Sequence, residues 1–389
     1  MRRPKHDVAE IIRGFGSRFV ESCHPNTYQL RTLDALTKCR TAALGGHKYR
    51  CDSCGREHIS YNSCRNRHCP TCQTAKQAFW VEDRIENAYG VKHFHIVFTV
   101  PEGLNTLCLL DSRWFYNHLF AAVWDTLRTF GYSHYGVESG AICVLHTWGQ
   151  NLSLHPHIHC IVPAAGLTLS GNLKHIGKKG EPACRTGRYL YPVKMLSATF
   201  GGKFLEALKK HLWKTGSLSQ YKTLLEGVRD KPWVVFCESS LGKPQHVIGY
   251  LGQYIHRVAI SNHRILKVTE QDVTFLLKDY RDQGKSKVTT LSGVEFLRRF
   301  CQHILPYRFV KIRYYGIYSS RFRSTMLRGN PKLVIEVPES VAEQIKRVMN
   351  IDVHQCPFCR KGRLVPTAIV PRVRSPSCLF SPVISRNSL

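Results

Sequence analysis

Leu145-His146-Thr147-Trp148-Gly149-Gln150-Asn151-Leu152-Ser153-Leu154-His155-Pro156-His157-Ile158-His159-Cys160-Ile161-Val162-Pro163 is the stretch on which the reading of the whole chain turns. Its flanks read as strands, 141 to 149 and 157 to 163, and the polar run Asn151 to Pro156 as the hairpin turn that joins them. Residues two apart in a strand share a face, so His157 and His159 project together while Ile158 points into a core. Such a pair can grip one metal ion. If the strands pair symmetrically about the turn, Gln150 lies opposite His157 and Trp148 opposite His159. Gln150 is then the expected third ligand, with His155 and His146 as rivals. A bare His-x-His also arises by chance on strands, and His93-Phe94-His95 is read as such a decoy.

Working outward, Phe94 to Val100 reads as a strand stopped by Pro101, and a helix follows through Trp114, Leu119, Val123 and Leu127. Downstream, the Gly- and Lys-rich stretch 166 to 190 reads as an exposed insertion. A helix through Leu196, Phe200, Phe204, Ala207 and Leu208, a strand at 233 to 237 and a helix from about 245 to 257 come next. Thr274 to Leu277 and Phe309 to Tyr315 read as strands, with a helix through Val294, Phe296, Leu297 and Phe300 between them. This mixture implies an α+β domain on an antiparallel sheet over residues 91–330.

Residues 1–90 form a separate lead-in. Two helices are expected in 8 to 45, with Val8, Ile11, Ile12, Phe15 and Phe19 on one stripe and Leu30, Leu33, Leu36 and Cys39 on another. Residues 46 to 76 lose that period and gain Cys, His, Gly and Asn. Cys51-x-x-Cys54 and Cys69-x-x-Cys72, fourteen residues apart, are spaced for one tetrahedral structural zinc, and Cys64 or His68 can substitute for a ligand. Arg50, Arg56, Arg65, Arg67 and Lys76 give this knuckle a basic face for docking phosphates. Residues 331–389 read as a basic C-terminal segment, partly disordered, with the Pro-, Ser- and Arg-rich tail beyond 365 lacking periodicity. Cys356 and Cys359 form a second half-site with no downstream partner pair.

Charge sets the partner. The 389 residues carry 56 Lys plus Arg against 27 Asp plus Glu, a net +29 spread along the chain, which favours nucleic acid. No apolar run of about 18 residues exists for a membrane span, and the N-terminus leads into no signal core, so a cytoplasmic, nucleoid-associated protein is expected. In the helix of Val247 to Arg257, Tyr250 and Tyr254 lie one turn apart, beside a buried stripe of Ile248, Leu251 and Ile255. Tyrosines at a core margin are ordinary. Next to a metal pair they become candidate nucleophiles, because a phosphotyrosine keeps the energy of a broken phosphodiester and allows rejoining.

With Cys51 to Cys72, Tyr61-Asn62-Ser63-Cys64-Arg65-Asn66-Arg67-His68-Cys69-Pro70, the His157-Ile158-His159 strand and Tyr250-x-x-x-Tyr254 in this order, the chain resembles the rolling-circle, two-tyrosine insertion-sequence transposases of the "ninety-one" family. Gly249 to Arg264 and His303-Ile304-Leu305-Pro306 carry the same likeness, which spans about residues 30 to 325. The resemblance implies a zinc-stapled N-terminal domain followed by a histidine-hydrophobic-histidine (HUH) nuclease core that uses Mg or Mn. It also implies nicking of one strand at an element end through a 5′-phosphotyrosine, with transfer as single-stranded DNA. A plasmid replication initiator or conjugative relaxase would share that chemistry but not the motif order or the leading zinc cluster. A non-enzymatic zinc-finger regulator would leave the histidines and tyrosines idle.

Overall fold

The computed structural model of the protein describes residues 4–86, 90–181, 187, 189–238, 249, 252, 258–279, 282, 284–322 and 339–373. The chain begins with α1 (Val8–Cys23) and α2 (Thr27–Thr37), then β1 (Gly46–Cys51), β2 (Glu57–Tyr61) and α3 (Pro70–Glu86). The middle runs through β3 (His93–Thr99), α4 (Asn105–Leu110), α5 (Ser112–Tyr135), β4 (Val137–Ser139), β5 (Ala141–Trp148) and β6 (Leu154–Pro163). It continues through β7 (Ala165–Thr168), β8 (Leu173–His175), α6 (Val193–Lys214), α7 (Lys222–Arg229) and β9 (Val234–Glu238). Next come β10 (Ile265–Val268), β11 (Asp272–Asp279), β12 (Lys285–Ser292), the helix Gly293–Gln302 and β13 (Ile312–Tyr315). The helix Val341–Met349 and β14 (Leu364–Val370) follow.

The central sheet has five antiparallel strands in the order β13-β5-β6-β3-β9. Alternation gives it two chemically distinct faces. Ile158, Cys160 and Val162 of β6, with Phe94, Ile96 and Phe98 of β3, pack under α5 and α6 through Leu119, Phe120, Val123, Phe200 and Phe204. Each such fully buried side chain contributes about 1.5–3 kcal/mol. Helix α5 is delimited by its own sequence: Asp111 accepts from Trp114 N at the start, and Gly136 takes the left-handed conformation at the end. The opposite face holds Ile142 and Ile161 under Trp80 and Ile85 of α3 at one end, and histidines at the other.

The expected stripe of α1 is buried as read, but against an unexpected neighbour. Val8, Ile11, Ile12, Phe15 and Phe19 share a second core with Leu33 and Leu36, with Val273 and Phe275 of the small sheet β10-β11-β12, and with Phe296, Leu297 and Phe300. Gly293 lies against the Phe15 ring with no room for a Cβ. The N-terminal helices are thus continuous with residues 259–301.

Three expectations are corrected. The stretch 166 to 190 is not plain insertion, because β7 and β8 form a sheet with β4. The C-terminal segment is not unstructured from 365, since β14 pairs with β1 from Gly46↔Val370 to Cys51↔Leu364. The hairpin register also differs: His146 lies opposite His157 and Val144 opposite His159. The turn is tighter, closed by Gly149 N to Ser153 O at 2.9 Å, and β6 starts at Leu154. The cause is Leu152, which adopts φ 63° and buries itself completely in the second core.

Candidate metal centre

The sheet brings His146, His157 and His159 together on the face opposite α5 and α6. One ring nitrogen from each lies within 4.8 Å of the others. The strand period places the two β6 histidines on one side, as the sequence reading expects, and the observed register delivers His146 directly across from His157. Gln150 does not lie opposite His157, the position from which its ligand role was expected: it sits in the turn, where its backbone carbonyl accepts from Arg264. His155 offers its backbone carbonyl instead of its ring, accepting from His157 Nδ1 at 2.7 Å.

The outer nitrogens are tied back. His159 Nδ1 is 2.9 Å from His95 Nε2, and His95 Nδ1 is 3.1 Å from Glu238 Oε2. An ionised carboxylate only accepts, so His95 donates from Nδ1 and accepts at Nε2 from His159 Nδ1–H. The inner Nε2 of His159 then presents a lone pair, and the same logic applies to His157. Burial holds His95 below the usual histidine range, opposed by Glu238. Burial, with His155 beside it, pushes His157 down to about 3. Neutral imidazoles with fixed tautomers are the donor set a divalent metal needs. His95, read from sequence as half of a decoy, is therefore the support of the site. It stands opposite Glu238 on β9 and diagonal to His159, and only the strand order reveals this.

Tyr250 and Tyr254 lie outside the described residues. Between them in sequence, Gly252 packs against Val81 of α3 so closely that a Cβ would not fit.

The cysteines sort differently from their spacing. Cys69 and Cys72 join Cys39 and Cys64, with Sγ–Sγ separations of 3.5 Å for Cys39–Cys72 and 3.6 Å for both Cys64–Cys72 and Cys39–Cys69. Cys51 and Cys54 lie elsewhere, beside Cys356 and Cys359. The expected single set of Cys51, Cys54, Cys69 and Cys72 is thus corrected. Cys51 ends β1 in the small sheet with β14, whereas Cys69 is buried in the second core just before α3. Cys64 was open to sequence reading as a substitute ligand. Cys39, at the end of a helical stripe, carried no motif. His68 does not join the sulfurs: it is buried, its Nε2 has no hydrogen-bond partner among the described residues, and it lines a cavity with Arg67, Trp148, His303 and Lys311. Desolvation pushes Lys311 down to about 7, aided by Arg67.

A family described as "Putative transposase" matches residues 140–325, and one described as "Transposase zinc-binding domain" matches residues 11–100. The "Putative transposase y4qJ" of Sinorhizobium fredii is 37% identical over 399 residues, covering 97% of this chain and 98% of that protein. The "Transposase for insertion sequence element IS801" of Pseudomonas savastanoi pv. phaseolicola is 27% identical over 351 residues, 88% of this chain and 84% of its own. No solved structure matches.

Proposed function

The chain belongs to the insertion-sequence transposases of the "ninety-one" family, with their N-terminal zinc-binding domain, and from that premise we propose that it nicks and rejoins single-stranded DNA at element ends by tyrosine chemistry beside a divalent ion. As a transposase it acts on DNA. No helix among the described residues is long and apolar enough to cross a membrane, and its expected place of work is the bacterial cytoplasm, at the nucleoid.

The observation that carries the proposal is the convergence of His146, His157 and His159 on the sheet face not covered by α5 and α6. Three imidazoles form a softer donor set than the oxygen cages that suit Mg, so Mn fits the better of the two. When bound, the ion polarises the scissile phosphate and stabilises the leaving oxygen. His95 and Glu238 hold the ligand rings in orientation. Tyr250 or Tyr254 attacks phosphorus: the Tyr Oη–P bond forms, the P–O3′ bond breaks, the proton goes to the 3′ oxygen, and the chain keeps the 5′ phosphate. The second tyrosine repeats the step at the next junction in rolling-circle transfer. Cys39, Cys64, Cys69 and Cys72 hold a structural zinc that fixes the start of α3.

Single-stranded element-end DNA incubated with Mn and the protein should be cut at one phosphodiester. His157→Ala and His159→Ala should each abolish cutting with DNA binding largely kept, while Gln150→Ala should cut nearly as well as the parent. Unimpaired cutting by His157→Ala would remove the site from the chemistry.

A further inference from the structure

Cys51, Cys54, Cys356 and Cys359 come from opposite ends of the chain, and the match to the zinc-binding domain ends at residue 100. Cys51 Sγ is 3.7 Å from Cys359 Sγ, and Cys54 Sγ is 3.8 Å from Cys356 Sγ. A disulfide would bring sulfurs to about 2 Å. Four thiolates around a zinc at about 2.3 Å place neighbouring sulfurs about 3.8 Å apart, which is the separation observed.

The surroundings are built for thiolates. Ser53 N and Cys54 N point at Cys51 Sγ at 3.4 Å, and Gly362 N points at Cys359 Sγ at 3.4 Å. Gly55 and Arg360, each one residue after a pair, take φ 69° and 58°, so the two C-x-x-C turns are similar knuckles. The knuckles are laced together by Asp52 N to Arg363 O at 3.1 Å and Arg363 N to Asp52 Oδ1 at 2.7 Å. They nest so tightly that a Cβ on Gly362 would sit 2.5 Å from Cys51 Sγ and from Asp52 Oδ1. Beside the β1–β14 ladder its apolar core is small: Cys51, Cys356 and Leu364, with Tyr49 and Cys359 at the margin. A core that small needs a staple. Arg50, Arg56, Arg360 and Lys361 next to the pairs balance the negative charge of four thiolates on one zinc.

We propose that Cys51, Cys54, Cys356 and Cys359 bind a second structural zinc, which clamps the C-terminal strand β14 to the N-terminal zinc-binding domain. Between the triad domain and this clamp the helix Val341–Met349 pairs Arg347 with Glu82 of α3, so the clamp also holds that helix on the element that covers the catalytic sheet.

The test is metal content and native alkylation of the full chain. Two zinc ions per chain are expected in the parent and one in Cys356→Ser/Cys359→Ser. Cys54 is solvent-exposed, so burial does not shield it. In the native parent protein Cys54 should nonetheless resist alkylation, and Cys51, Cys54, Cys356 and Cys359 should become reactive together on chelation, read by peptide mass spectrometry. One zinc per chain in the parent with Cys54 alkylated before chelation overturns the proposal, whether or not the double variant folds.

Discussion

Replacing His95 with Phe tests the support of the triad without touching a ligand. His95 accepts from His159 Nδ1 at 2.9 Å and passes its own Nδ1–H to Glu238 at 3.1 Å. Phe keeps the ring volume beneath the sheet face but removes the acceptor, leaving the His159 N–H without its present partner and its tautomer unfixed. Losses at such supporting positions run to about 10- to 100-fold in metal affinity, or about 1.4–2.7 kcal/mol. Glu238→Gln should do less, under about 10-fold, because the amide oxygen still accepts from Nδ1–H and the Glu238 side chain is 31% exposed, where solvent already screens its charge. Titration of free Mn by electron paramagnetic resonance, without DNA, reads both variants directly, and the Mn dependence of nicking should move in parallel. A His95→Phe protein that binds Mn within twofold of the parent, or a Glu238→Gln protein hit harder than His95→Phe, would refute the relay.

Affinity for single-stranded DNA should fall steeply with salt, by about 0.7 of a log unit per log of salt for each phosphate neutralised, as a +29 chain implies; fluorescence anisotropy that is flat from low to physiological salt would contradict this. Leu152→Ala should lower the unfolding free energy by about 2–4 kcal/mol in urea, because a fully buried anchor of the hairpin turn is lost; a change under about 1 kcal/mol would show that the turn is held otherwise. Arg298 and Arg299 hold Glu295 at about 2, against an ordinary 4.5, with burial opposing them. A lowered folded pKa contributes stability above 4.5 that is lost as pH falls towards 2. After screening this amounts to roughly 1 kcal/mol. Glu295→Gln should flatten acid unfolding in that window, and an unchanged profile would dismiss the contribution.

How far the sequence reveals the molecule depends on the range of the contact involved. The α1 stripe, the shared face of His157 and His159, and the α+β class follow from periods of 3.6 and 2 acting on neighbours. The hairpin register was illegible because Leu152 answers to a core built from α1 and residues 259–301, not to the turn's own polarity. Likewise C-x-x-C spacing identifies a knuckle but not its partner. Cys69 and Cys72 find Cys39, while Cys51 and Cys54 find cysteines about three hundred residues away, because β14 lies beside β1. His95 looked like chance for the same reason: its role exists only once β3 lies between β6 and β9.

Covalent capture tests the central claim most directly. Single-stranded element-end DNA, labelled 3′ to the cut, is incubated with Mn and the parent protein, Tyr250→Phe, Tyr254→Phe, or both changes together. Labelled DNA should stay attached to the parent and, at reduced yield, to each single variant, because tyrosines four residues apart on a helix can reach one phosphate. The double variant, folded and still binding DNA, should carry none. Robust label on the double variant would place the nucleophile elsewhere and contradict the account.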